Sequence, residues 1–326
     1  MHAASRPPAL FVASPLAAEP PAVVADIAPV HGLVADVIGE LGEPGLLVPP
    51  ATSPHGYALK PSEARALQNA EVVFWVGEAL TPDLGRKIGS IAGDSRVVTL
   101  GEAPGTGHLP SREAAVFGAQ EAPHGHHDHE DHDDHGHAEE EHAHEEDAHA
   151  GHAHGPDDPH LWLSPDNAAA WLDHIATVLA ETDPENAETY AANAEAARAT
   201  LESTVAQARE TLAPHHEDRY IVFHDAYQYL EASFELQVVG AIQVSAATPP
   251  SPGRLAELRE AAAEAGVTCI FAEPQFDPRL VATVSQGTEL PVAELDPLGA
   301  TLTTGAGFYP ELISELAGRI ADCAAD

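Results

Sequence analysis

From Glu185 to Leu212 the chain runs for 28 residues without a glycine or a proline. Ala187, Tyr190, Ala194, Ala197, Leu201, Val205, Ala208 and Leu212 fall on one side of a 3.6-residue repeat. Asp183 and Pro184 immediately before it form a helix-start signal. At 1.5 Å per residue such a helix reaches roughly 42 Å, more than the width of a small domain. A rod of that length spans two bodies, and the sequence on either side must supply them. The chain of 326 residues is long enough for two lobes, and 44% hydrophobic residues are ample for their cores.

Both flanks alternate short apolar runs with helical stretches. Before the rod, AVVADI, LLVPP, EVVFWVG and RVVTL read as strands, and PVHGLVADVIGELG, KPSEARALQNA and PDLGRKIGS as helices. After it come RYIVFH, LQVVGAIQV, VTCIFAEP and PVAELDP as strands, separated by helical AYQYLEASF, PGRLAELREAAAEAG and DPRLVATVSQGTE, with a last helix from Pro310. A strand-then-helix order implies parallel sheets covered by helices, so the expected fold is α/β, long helix, α/β. The expected divisions are a tail over 1–18, a first lobe over 19–163, connecting helices over 164–213 with the long one at 184–212, and a second lobe over 214–326.

Between Leu100 and His160 the alternation stops. The run from His124 to His154 holds twelve histidines (His124, His126, His127, His129, His132, His135, His137, His142, His144, His149, His152 and His154) and eleven acidic residues, with no Lys or Arg. It offers no apolar face to either lobe, so 121–158 is expected to be a loop without regular structure. The whole chain carries 52 acidic against 14 basic residues, a formal charge of −38, which excludes nucleic acid and anionic membrane surfaces as partners and favours a cation. There is no apolar stretch of 18 residues, so no membrane-embedded helix is expected. The first residues, with Arg6, an apolar run over 9–18 and a Leu-Ala-Ala end, read either as a weak secretory signal cleaved near Ala18 or as a structureless tail.

Two cysteines, Cys269 and Cys323, stand outside any CxxC motif. One disulfide in an oxidising compartment and two buried thiols are both compatible with them. Three histidines stand apart from the loop beside predicted strand ends: His55 in SPHGYALKPSEA, His160 in DPHLWLSP and His224 in VFHDAYQYL. Asp296 in ELDPLG is placed likewise. Ligand sites of open α/β sheets gather where strands end, and imidazoles with a carboxylate suit a first-row divalent metal. By residue type alone, His31, His108, His174 and the pair His215/His216 are equal candidates, and spacing does not choose among them.

The ordered set PHGYALKPSEARAL, QNAEVVFWVG, DPHLWLSP, VFHDAYQYLE, CIFAEPQF and ELDPLG resembles the solute-binding proteins of bacterial zinc ABC importers, the ZnuA type. The resemblance runs from Ala22 to the C-terminus and omits only the histidine-rich run. It implies a periplasmic receptor, expected to be monomeric, with two lobes joined by a rigid helix and Zn2+ in the cleft between them. An ABC importer permease is the implied partner. Its metal histidines fall on His55, His160 and His224, its second-lobe acidic position on Asp296, and its C-terminal disulfide on Cys269 and Cys323. Some relatives carry a ligating Glu directly before the first histidine, where this chain has Pro54. The fourth ligand is therefore expected from Asp296 or water. No lipobox cysteine stands near the first residues, so lipid anchoring is not expected.

Three imidazoles and a carboxylate favour zinc over manganese. The histidine-rich run is expected to be an accessory zinc collector beside the ordered site, against the plainer reading of a solvated linker. Two other functions compete. A metal-dependent hydrolase would use the same ligands with Asp225 or Glu273 as base, but HExxH and GxSxG are absent. A manganese or iron receptor of the same fold is the second.

Overall fold

In the computed structural model, residues 20–112, 114, 116–117, 157–243 and 250–325 are described. The histidine-rich run and the expected signal over 1–18 lie outside them. The first sheet contains β1 (Val23–Ala25), β2 (Gly45–Leu46), β3 (Val72–Trp75) and β4 (Arg96–Thr99), all parallel in the order β2-β1-β3-β4. Helices α1 (Ala28–Ile38), α2 (Pro61–Asn69) and α3 (Pro82–Ile91) connect them. Two further helices follow, α4 (Pro165–Thr182) and α5 (Ala187–Leu212). The second sheet contains β5 (Arg219–His224), β6 (Gln237–Gln243), β7 (Cys269–Ala272) and β8 (Val292–Glu294), also parallel, in the order β6-β5-β7-β8. Its helices are α6 (Gln228–Phe234), α7 (Pro252–Glu264) and α8 (Pro278–Ser285), and α9 (Phe308–Ala325) ends the chain.

Proline sets the helix starts. Pro61, Pro82, Pro165, Pro252 and Pro278 each occupy the first helical position, where the missing N–H costs nothing and the fixed φ already suits the helix. Ser164 caps α4 by accepting from Asn167 N at 3.2 Å, and Ser251 caps α7 by accepting from Arg254 N at 3.2 Å. The long helix begins three residues later than the expected 184, because Pro184–Asn186 form a 3₁₀ turn.

Strand alternation divides the core. Val72 and Phe74 of β3 face the main cluster, whereas Val73 and Trp75 face a second cluster with Leu84 and Ile88 under α3. In β5, Tyr220 and Val222 face the same main cluster, and Ile221 and Phe223 face a third with Leu258 and Val284. The inner faces of both sheets thus meet one core, which takes in Tyr190, Leu201 and Leu212 of α5.

Chain order does not fully predict lobe membership. Helix α9 packs on α1 and α5 as well as on its own lobe. The approach is close: a Cβ on Gly32 of α1 would lie 2.8 Å from Phe308 Cβ, and Asp36 accepts a hydrogen bond from Gly307 N at 2.7 Å. The disulfide Cys269–Cys323 ties α9 to β7, with 6.1 Å between the Cα atoms. In the other direction, the segment after β4 leaves the first sheet and reaches the second. Val116 bridges Gly240 on the edge strand β6, and Phe117 N donates to Val239 O at 2.8 Å. Arg112 donates to Asp225 and to Glu231, the latter at 2.8 and 3.0 Å.

Candidate metal centre

Each of the three expected histidines is held by different local structure. His55 sits in a turn closed by Tyr57 N donating to Pro54 O at 3.2 Å. Gly56 takes φ +76° at the third position, as a type II turn requires. The turn is fastened to α2: Tyr57 Oη donates to Glu63 at 2.8 and 2.9 Å, while Glu63 accepts from Lys60 N at 2.7 Å. His160 precedes a 3₁₀ turn, Leu161–Leu163. His224 is the last residue of β5. Only His224 therefore lies at a strand end; the other two stand on loops, His55 well beyond β2.

The rings nevertheless converge. His160 Nε2 lies 3.3 Å from His55 Nε2 and 3.2 Å from His224 Nε2. No other group of three or more potential metal ligands comes together among the described residues. The remote nitrogens are engaged. His160 Nδ1 donates to Asp158 Oδ1 at 2.7 Å, and the same oxygen accepts from His160 N at 2.9 Å. His224 Nδ1 donates to Glu273 Oε1 at 2.6 Å. A carboxylate can only accept, so it fixes the proton on Nδ1 and turns the bare Nε2 lone pair inward. Lone pairs aimed at one point repel one another, and a cation placed there converts the repulsion into coordination. Zinc–nitrogen bonds of about 2.0–2.1 Å in a tetrahedron place nitrogens about 3.3–3.4 Å apart, close to the spacing here.

The electrostatics favour neutral rings on two sides. Burial, reinforced by the neighbouring imidazoles of His160 and His224, pushes protonation of His55 down to about 2. Burial and the nearby His224 likewise hold His160 well below the ordinary range. At His224 burial opposes the charged form, but Glu273 at its back, with Asp225 and Asp158, outweighs it and the balance is upward. Burial raises Asp158 to about 6. The surrounding walls are largely apolar: Pro54, Trp162, Phe276, Pro297 and Leu298. The cavity between them has a volume of only about 10 Å³, room for a single small particle.

Asp296, the fourth expected ligand, is not among the clustered groups. Its Oδ1 accepts from Gln275 Nε2 at 2.7 Å and Leu298 N at 2.9 Å, and its Oδ2 accepts from Ala300 N. These bonds commit it to the turn that follows β8. Asp158 and Glu273 complete the site behind the histidines. Both were visible in the motifs, Asp158 in DPH and Glu273 in CIFAEP, but nothing in the sequence pairs them with particular rings. Of the other candidates, His31 Nε2 bonds Pro44 O at 2.9 Å and His215 Nδ1 bonds Asp218 at 2.8 Å, both away from this cluster. His108 lies 3.3 Å from Asp157, and His174 and His216 also stand outside the cluster. Asp225 and Glu273, the bases a hydrolase would need, are engaged by Arg112 and His224.

Comparison with known proteins places the chain among zinc-uptake components. Residues 23–323 match the family model described as ZnuA, the periplasmic component A of a zinc-uptake complex. The high-affinity zinc uptake system protein ZnuA of Brucella abortus (strain 2308) is 41% identical over 324 residues, covering 96% of this chain and 94% of that protein. Among solved structures, a crystal structure of ZnuA superposes with a TM-score of 0.71 at 24% identity, over 93% of this chain and 98% of the other. The solute-binding protein FpvC of Pseudomonas aeruginosa in complex with Mn2+ shares the fold, with a TM-score of 0.71 at 22% identity over 93% and 98% of the two chains. The chain belongs to the ZnuA family.

Proposed function

We propose that this chain is a high-affinity zinc receptor that captures Zn2+ in the periplasm and delivers it to the permease of an ABC importer. The convergence of three imidazoles, with His160 Nε2 at tetrahedral spacing from the other two, in a cavity sized for one ion carries this reading. His55, His160 and His224 are the protein ligands, with Asp158 and Glu273 orienting two of them. The cargo is bound and handed on without a chemical step, and the protein acts as a monomer. Three imidazole ligands favour zinc over manganese, whose sites are richer in oxygen. The histidines from His124 to His154 gather zinc weakly for the same receptor.

Metal content and chelator competition on the purified protein test this proposal. One tightly held zinc per chain is expected, and His224→Ala should weaken it by orders of magnitude by leaving two protein ligands. Equal affinity in the variant would overturn the ligand assignment. Tighter manganese than zinc binding would favour the manganese receptor, and zinc-dependent hydrolysis of simple esters would revive the hydrolase.

A further inference from the structure

Two oxygen atoms on the wall of the metal cavity have no partner among the described residues. Ser53 Oγ and Gln275 Oε1 are both buried and make no hydrogen bond with any described residue, and both residues line the cavity with the three histidines. Buried polar atoms without partners are uncommon and call for a ligand or water. The orientation of Gln275 is not free. Its Nε2 donates to Asp296 Oδ1 at 2.7 Å, and an ionised carboxylate accepts only from the nitrogen end of an amide. Asp296 is fixed in turn by the amides of Leu298 and Ala300. A turn thus holds a carboxylate, the carboxylate holds an amide, and the amide's carbonyl is left over at the cavity wall.

We infer that Gln275 and Ser53 form the oxygen side of the centre, holding the water that completes the ion's coordination, and that Asp296 is the positioning residue that aims Gln275. This inference rests on the zinc-receptor reading. A metal-bound water gives its oxygen to the ion and retains two protons to donate, matching the carbonyl of Gln275 and the hydroxyl of Ser53. Both acceptors are neutral, so the fourth position differs from one closed by a directly bound carboxylate. It can be vacated by ligand exchange without separating an anion from the ion. Asp296 thereby influences the metal from behind Gln275, without touching it.

A mutant cycle read by zinc competition and by the visible spectrum of the Co2+-loaded protein tests the arrangement. Gln275→Leu should weaken zinc roughly tenfold, the scale of outer-shell losses, and shift the cobalt bands. Asp296→Ala should do the same, and the double variant should be no worse than either single one. Asp296→Asn keeps an acceptor for Gln275 Nε2 and Leu298 N, giving up only the bond from Ala300 N, and should stay within about threefold of the parent chain, half a decade. This variant also serves as the test if Asp296→Ala unfolds. A loss of a hundredfold or more in Asp296→Asn, or additive losses in the double variant, would make Asp296 a direct ligand and overturn the inference. Parental affinity and spectrum in Gln275→Leu would overturn it too, leaving the receptor reading intact. Failure of the parent chain to hold zinc tightly would remove both.

Discussion

The two sheets share one strand order, and in each the first and third strands lie side by side where the connections diverge to opposite edges. Such switch points form crevices at the carboxyl ends of the strands. In the first sheet the crevice holds Asp26, after β1, whose carboxylate accepts from Ile27 N and Val76 N, both at 2.8 Å. In the second sheet it holds His224 at the end of β5 and Glu273 after β7. Each crevice is crossed by a carboxylate, but with opposite outcomes. Asp26 closes on backbone amides and leaves no donor free, whereas Glu273 closes on one nitrogen of a ring whose other nitrogen remains to bind. The first lobe brings its histidine to the cluster from a loop, as His55.

The largest asymmetry between the lobes is covalent. Cys269–Cys323 closes a loop in the second lobe, and Cys323→Ser should lower stability by about 4 kcal/mol, read from chemical denaturation. Next in size is the strand-end tie of the first sheet. Asp26→Ala leaves two buried amides without acceptors and should cost about 2 kcal/mol, with zinc affinity within twofold of the parent. An affinity loss matching that of His224→Ala would abolish the distinction between a structural and a binding crevice.

The same carboxyl has a pH signature. Burial raises Asp26 from 3.8 to about 7 despite its amide hydrogen bonds. Between those values the folded chain retains a proton that the unfolded chain has released, so this group's contribution to stability falls as pH rises from about 4 to about 7. Asp26→Asn, which does not titrate, should flatten that part of the stability–pH curve. In the second crevice, Glu273→Gln keeps an acceptor for His224 Nδ1 but removes its charge. Zinc should weaken roughly tenfold by competition titration with little change in stability. Smallest is the expected effect of deleting residues 123–155: weak zinc equivalents disappear from metal titrations while the tight one retains its affinity. Loss of the tight site would place the primary chemistry in the run.

Much of the architecture was legible because its signals are local. Gly- and Pro-free periodicity marked α5, and the helical stretches read on either side of it fall on α1, α2, α3, α6, α7 and α8. Parallel strands buried on both faces gave the apolar runs of β3 and β5. Less legible was what depends on distant approach. The sequence shows neither that α9 returns to α1 nor that the segment carrying Arg112 and Phe117 lies along β6. The site divided similarly. Residue type made His55, His160 and His224 candidates, and only the ordered family motifs separated them from His31 or His215. Asp296 belonged to the right motif, but its hydrogen-bond partners, Gln275 and two amides, are brought to it by tertiary packing.

Two sheets invite the picture of two bodies that open and close independently, but their inner faces meet a single apolar core threaded by α5 and closed by α9. Melting either lobe alone would strip that core from one side and expose the other lobe's inner face to water. The free energy of partial unfolding is therefore close to that of complete unfolding, and intermediates are sparsely populated. Calorimetry on the metal-free protein should show one heat-absorption peak, with van't Hoff and calorimetric enthalpies in agreement.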